Sequence, residues 1–244
     1  AGLSYQNSVE VQVDGEAPAT EIDYVGTPGL NGWYTTAVTA TLTATDSGGS
    51  GVKEIHYILD SGTEQIVPGE KALVSISTTG LHNLLFWAVD KADNNEAPRN
   101  TAAVKIDLTS PTTTASLSGT LVAGETNWYT GTVKVTLSSL DGAGSGVAST
   151  YYNDGATSDN VYTTPLNINA AGTTKIYYYS IDKAGNKEPT KTTDVNIVYP
   201  VIFTASGLPA GTSWSVTLDE TTKSSTVPTI TFLTKTGTYN WNIT

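Results

Sequence analysis

Two sets of oxygen-bearing side chains recur along this chain at nearly the same spacing. The first is Asp14, Asp46, Asp90 and Asn94; the second is Asp107, Asp141, Asp182 and Asn186. Carboxylates and side-chain amides brought to one point are the ligands of a hard divalent cation, and Ca2+ takes roughly six to eight such oxygens. The same residue types have a plainer use, because Asp and Asn cap turns by accepting backbone N–H bonds. Both readings stay open at this point. Ca2+ is the one cofactor that the residues suggest.

Each aspartate sits in a longer recurring phrase. Asn31-Gly-Trp33-Tyr34, Asp46-Ser-Gly-Gly-Ser-Gly-Val52 and Asp90-Lys-Ala-Asp-Asn94 return as Asn127-Trp128-Tyr129, Asp141-Gly-Ala-Gly-Ser-Gly-Val147 and Asp182-Lys-Ala-Gly-Asn186. Trp33 and Trp128 are 95 positions apart, as are Asp46 and Asp141. A period of about 90–95 residues, filled with short alternating strands, corresponds to one β-sandwich per repeat.

Alternation at period two dominates between these phrases. Thr39–Thr45 matches Val133–Ser139, Ile55–Leu59 matches Thr150–Asn153, Leu84–Val89 matches Lys175–Ile181, and Val104–Ile106 matches Asp194–Ile197. Gly, Asn and Pro punctuate the strands, and no segment carries a useful helical period. Asn7–Pro18 aligns with Asn100–Pro111, so the chain opens on what reads as the last strand of a module. The expected organisation is an orphan or donor strand over 1–17, sandwich domains over 18–110 and 111–199, and a partial or strand-complemented β domain over 200–244. That tail offers about four strands, near 201–205, 213–218, 229–233 and 238–243.

Composition narrows the partners. The net charge of −11 argues against nucleic acid and anionic membranes. There is no Cys, so disulfides and thiol chemistry are excluded. Only 14% of residues are charged, and Thr and Ser supply most of the polar surface. That composition suits an acidic exterior, and it is also ordinary for a β protein. No apolar run is long enough to span a membrane. Ala1-Gly2-Leu3 shows no signal peptide, so the chain reads as a mature or excised piece.

The Trp-Tyr … Asp-x-x-x-Ser-Gly-Val … Asp-Lys-Ala-Gly-Asn pattern resembles the bacterial and archaeal immunoglobulin-like (Big-type) repeats of large secreted and surface proteins. Residues 18–198 match it twice, with Asp93 in place of the usual Gly in the first copy. The tail, with Phe203-Thr-Ala-Ser-Gly-Leu-Pro and Trp214-Ser-Val-Thr-Leu218, resembles a different β module of archaeal surface proteins, thermoacidophiles above all. The implied fold class is all-β: tandem immunoglobulin-like sandwiches in an extended array, flanked by the orphan strand and the partial tail.

In such a sandwich the first strand enters at the end carrying the B–C and F–G loops. That direction predicts that Asp107 meets Asp141, Asp182 and Asn186, and that Asp14 meets Asp46, Asp90 and Asn94. Each set forms a junction site similar in arrangement to cadherin junctions. At the third junction Val198 stands where Asp14 and Asp107 stood, and no ion is expected there.

Other residues carry less. Trp33 and Trp128 offer sugar stacking or, more simply, packing over a sandwich edge. In the Tyr177-Tyr178-Tyr179 stripe either Tyr178 or its two neighbours face the core. His56 and His82 have no ligand companion at metal spacing and read as structural. Asn242-Ile-Thr244 is the single N-glycosylation sequon. No catalytic motif is present, so the chain is not expected to be an enzyme.

The function these features imply is a non-enzymatic structural component of an extracellular or cell-surface assembly: a filament, surface layer or stalk. It self-associates, with no nucleic acid partner and no membrane span in this segment. Val9, Val11 and Val13 are candidates for donation of the N-terminal strand to a neighbour's sheet, which would propagate an open filament. Excision from a longer repeat protein accounts for the orphan strand equally well. The competing reading is an adhesin, or accessory glycan-binding or spacer modules of a large secreted hydrolase.

Overall fold

The computed structural model describes residues 13–155 and 158–244, and these form strands, turns and loops without a helix. By contact the chain divides into two compact units. One runs through Pro111 and takes in Asp141–Val147 and Ile181–Lys187; the other comprises Thr112–Leu140, Ala148–Ser180 and Glu188–Thr244.

The first unit is built on a two-sheet sandwich. One sheet has the order β1 (Ala19–Val25), β3 (Val38–Thr45), β6 (Lys71–Ile76). The other has the order β2 (Trp33–Tyr34), β8 (Asn100–Ile106), β7 (Gly80–Asp90), β4 (Val52–Leu59), β5 (Gln65–Pro68). The strict alternation in β3 sends Val38, Ala40, Leu42 and Ala44 inward and leaves its threonines outward. Opposite them, Ile55, Leu84, Phe86, Val104 and Ile106 complete one apolar core. The chain leaves β1 at one sheet and joins the other at β2, where Trp33 and Tyr34 run parallel to Lys105 and Ile106. Between them lies a tight turn in which Asn31 and Gly32 both have positive φ and Trp33 N–H donates to Leu30 O at 3.0 Å. An Asn-Gly pair supplies that conformation at least cost.

The second unit repeats the plan with β9 (Thr112–Leu121), β10 (Trp128–Leu140), β11 (Val147–Asn153), β12 (Asn160–Val161), β13 (Leu166–Ile168), β14 (Gly172–Asp182) and β15 (Lys191–Ile197), although Val147 of β11 and Ile181 and Asp182 of β14 fall in the first unit. Here the sheet switch occurs inside one strand. Trp128 and Tyr129 pair in parallel with β15, β9 pairs on both sides of the bulge between Thr130 and Lys134, and only residues beyond it pair with β13. Gly131 takes a φ of 70° at that kink. All seven strands thereby belong to one sheet, six along a single path with β9 paired to β10 beside it. Its core is Tyr129, Val133, Val135, Leu137, Ile176, Tyr178, Val195 and Ile197.

The tail has five strands where the sequence suggests about four. β16 (Tyr199–Thr204) pairs with β19 (Thr229–Thr234), and β17 (Trp214–Leu218) lies between β18 (Thr221–Ser225) and β20 (Trp241–Ile243). A small core of Trp214, Val216, Leu218, Ile230 and Phe232 holds them. The additional strand, β18, is wholly polar, so no apolar alternation marks it.

Candidate metal centre

Asp107 directly follows β8, Asp141 directly follows β10, and Asp182 is the last residue of β14. All three belong to the first unit. Each offers a carboxylate oxygen, and these oxygens lie within 4.8 Å of one another. The side chains are out of solvent: Asp107 is 0%, Asp141 6% and Asp182 1% exposed.

Backbone turns position each carboxylate. Asp107 N–H donates to Tyr34 O at 2.8 Å, which extends the parallel β2–β8 pairing to the aspartate. Gly146 N–H donates to Asp141 Oδ2 at 2.6 Å, and Ser145 N–H donates to Asp107 Oδ2 at 2.7 Å. Asp182 Oδ1 accepts from Gly185 and Asn186 N–H at 2.7 and 2.8 Å. The Asn186 amide then donates to Asp182 Oδ2 and to the carbonyls of Asp107 and Thr109. Gly144 lets the loop approach, since a Cβ there would sit 2.7–2.8 Å from carboxylate oxygens of Asp107 and Asp141.

The electrostatics of the set are unbalanced. Among the described residues no Lys, Arg or His forms an ion pair with any of the three. Asp141 Oδ1 is buried and has no hydrogen-bond partner. Burial, followed by repulsion from Asp107 and Asp182, pushes the Asp141 carboxyl above its ordinary value, against the Gly146 N–H bond. Burial also acts on Asp107, but hydrogen bonds from Ser145 and Thr109 outweigh it and hold that carboxyl low.

The first set repeats this geometry in a more open setting. Oxygens of Asp14, Asp46 and Asp90 again lie within 4.8 Å of one another. Ser50 N–H donates to Asp14 Oδ2 at 2.9 Å, Gly51 N–H to Asp46 Oδ2 at 2.6 Å, and Asn94 N–H to Asp90 Oδ1 at 2.8 Å. Asn94 donates its amide to Asp14 O, Glu16 O and Asp90 Oδ2. Asp90 is buried, while Asp14 and Asp46 are half-buried. Hydrogen bonds from Ser50 and the Glu16 amide hold the Asp14 carboxyl low. In both sets turn capping and shared proximity coexist: backbone donors occupy part of each carboxylate and leave further lone pairs free.

The remaining singled-out residues fall elsewhere. Val198 is buried, and its N–H donates to Tyr129 O at 3.1 Å, the counterpart of the Asp107–Tyr34 bond without a carboxylate. Trp33 and Trp128 are half-buried, and Lys235 Nζ lies 5.4 Å above the Trp128 ring while pairing with Glu125 at 2.6 Å. Tyr178 is in the core, and Tyr179 stacks on Tyr151 at 5.1 Å. His56 stacks on Trp87 at 5.0 Å, and His82 Nδ1 lies 3.0 Å from Asp60 Oδ2. Asn242 is exposed on β20. Val9 and Val11 lie outside the described residues; Val13 is 85% exposed and belongs to no strand.

Sequence reasoning missed a second repeated anchor. Glu96 accepts from Thr20 N–H and Oγ1 at 2.9 and 2.7 Å and from Ala88 N–H at 3.0 Å. Glu188 does the same with Thr113 and Ser180, and adds Lys191 Nζ at 2.8 Å. Burial acts on the Glu188 carboxyl, but bonds from Lys191, Thr113 and Ser180 overcome it and hold the group low. The signal was available: a Glu stands six positions after Asp90 and again after Asp182. In the second unit the anchor extends into a cluster of hydroxyls on buried Thr113 and Ser180 and half-buried Ser139 and Thr150, spaced 2.6–3.1 Å.

No protein-family model matches the chain, and no curated protein matches its sequence. Among solved structures it is similar to the fibronectin(III)-like modules of Clostridium thermocellum CbhA, with 13% identity over 73% of this chain and 95% of that one and a TM-score of 0.32. It is similar to a solved segment of a 1.5-MDa bacterial ice-binding adhesin, with 13% identity over 89% of this chain and 87% of that segment and a TM-score of 0.32. It is also similar to a tetra-tandem repeat from the extending region of a large adhesion protein, with 16% identity over 93% of this chain and 66% of that one and a TM-score of 0.31.

Proposed function

We propose that the chain is a non-enzymatic structural segment of an extracellular surface assembly, and that Asp107, Asp141 and Asp182 hold a Ca2+ ion that stiffens it. One observation carries this reading: three buried carboxylates share a centre with, among the described residues, no cationic side chain paired to them and no partner for one of their oxygens, Asp141 Oδ1. Buried like charges are costly unless something neutralises them. An all-oxygen set held by backbone N–H bonds fits a hard cation better than a thiol- or imidazole-seeking metal. An ion there ties the end of β8 to the loops after β10 and β14, segments far apart in sequence, so its effect is mechanical.

Asp14, Asp46, Asp90 and Asn94 support a second site of the same kind with easier access to solvent. The acidic, hydroxyl-rich composition and the exposed sequon at Asn242 support an extracellular location. Among the described residues no helix is long and apolar enough to cross a membrane. Assembly by strand donation through Val9, Val11 and Val13 is the finer form of the proposal.

Isothermal titration with calcium, paired with melting curves in calcium and in chelator, tests the ion. Heat of binding and a raised melting point are expected. Absence of both at millimolar calcium removes the cation from the proposal. Light scattering behind size-exclusion tests strand donation separately: a strictly monomeric chain at high concentration leaves the spacer reading without it.

A further inference from the structure

The two F–G loops of the repeats share one backbone plan but differ in cover. Lys91 N–H donates to Gly51 O at 3.0 Å and Lys183 N–H to Gly146 O at 2.9 Å. Asp90 N–H donates to Asn94 O at 3.2 Å and Asp182 N–H to Asn186 O at 3.1 Å. Yet Ala184 is fully buried, whereas Ala92 is exposed.

The cover on Ala184 is a turn of the same unit. Leu30 N–H donates to Ala184 O at 2.8 Å, and the Asn31 amide donates to Lys183 O at 2.8 Å. Gly29 permits the approach, because a Cβ there would run into the Ala184 carbonyl. Leu30 lies over Gly185, whose own Cβ, were it present, would stand 3.3 Å from Leu30 Cγ. Around the first loop, Val13, Asp14, Gly48, Gly49, Ser50, Lys91 and Ala92 line an open depression of about 560 Å3. Among the described residues no donor reaches the carbonyls of Lys91 and Ala92.

We infer that this depression is the docking surface for a glycine-led β-turn of an adjoining immunoglobulin-like module. The inference rests on the modular reading above but not on the cation. Its chemistry is that of the turn already seated on Ala184: one backbone N–H for the Ala92 carbonyl, one Asn side-chain amide for the Lys91 carbonyl, and a Gly where a Cβ has no room. One feature sets the incoming turn apart. Asp93 occupies the position of Gly185, with a φ of 61°, and a Cβ at that position in the covered loop would crowd Leu30, at 3.3 Å from Cγ and 3.4 Å from Cδ1. A residue smaller than leucine after the glycine avoids that crowding, so the surface favours Gly-small-Asn-Gly over Gly-Leu-Asn-Gly.

The test uses the full chain labelled with 15N and a backbone-cyclised peptide of the Gly29–Tyr34 sequence carrying Leu30→Ala. Saturable shifts at the amides of Ser50, Lys91, Ala92 and Asp93 are expected. The unaltered Leu peptide should bind about tenfold more weakly, and a peptide with Gly29→Ala should not bind. The chain variant Ala92→Arg, at an exposed position, should lose the response while keeping its melting point. Shifts confined to other amides, no saturable shift at millimolar peptide, or equal binding of the Gly29→Ala peptide overturns the inference. So does concentration-dependent dimerisation of the chain alone through these amides, which makes a second copy the occupant. Calcium titration of the same sample reports independently on the cation.

Discussion

Asn186 donates its side-chain amide to the carbonyl oxygen of Asp107 across 3.1 Å, and the same nitrogen lies 2.9 Å from Asp182 Oδ2. One side chain thus locks the loop after β14 to the end of β8 and orients a carboxylate of the candidate centre. Asn94 does the same for Asp14 and Asp90 at 3.1 and 2.7 Å.

Replacing Asn186 by Ala removes these donors and leaves the Asp107 and Thr109 carbonyls short of a partner. A loss of about 1–3 kcal/mol in urea unfolding is expected. An unchanged midpoint would show that water replaces the amide without cost.

The pH response should depend on calcium. The Asp141 carboxyl titrates above its ordinary value of 3.8 because burial, then Asp107 and Asp182, disfavour its charge. In the metal-free chain the folded state holds this proton more tightly than the unfolded one, so its contribution is lost as pH rises from the unfolded value through the raised folded one. Calcium displaces the proton, so its stabilising effect should grow over that same window. Melting points with and without calcium across the acid range measure this; a calcium increment independent of pH contradicts it.

Asp141→Asn separates charge repulsion from ligation. It should leave the chelated protein at least as stable as wild type at neutral pH and remove most of the calcium-induced rise in melting point. A full rise in the variant would take Asp141 out of the site.

Gly144→Ala drives a Cβ to 2.7–2.8 Å from the Asp107 and Asp141 carboxylates. Calcium affinity should fall by about tenfold or more, with a stability loss of about 1–3 kcal/mol from the crowding. Gly142→Ala is the control: that Cβ meets nothing within 4 Å, although its φ of 40° carries its own strain.

Glu188 has the opposite linkage to Asp141. Its folded carboxyl titrates below the ordinary 4.5, because bonds from Lys191, Thr113 and Ser180 overcome burial. Its stabilisation is therefore present above the unfolded value and lost as pH falls through the lower folded one. Glu188→Ala should cost about 1–3 kcal/mol at neutral pH, and the deficit should shrink in acid. A deficit that is constant down to the most acidic readable condition argues that packing alone is at stake.

Much of the fold was legible because the code for a half-buried strand is local. Val38, Ala40, Leu42 and Ala44 alternate with Thr in β3, and that pattern serves only a strand with one face inward. The wholly polar β18 was illegible for the same reason: its pairing with β17 rests on backbone hydrogen bonds, which every residue offers. The proximity of the aspartates was legible through their repeat and strand direction. Glu96 and Glu188 were passed over because a glutamate in a turn ordinarily reads as a solvated charge, and only the threonines of β1 and β9 make it an anchor.

By itself the sequence determined the alternating strands and the two equivalent sets of carboxylates, since each depends on side-chain alternation or on a repeat. Only the tertiary structure decided that the two sets differ. Their residue types are the same, yet Asp107, Asp141 and Asp182 are buried while Asp14 and Asp46 stay half open. Over the second set the Gly29–Asn31 turn sits against Lys183 and Ala184. Burial is set by what packs on a residue from elsewhere in the chain, and no local pattern encodes that neighbour.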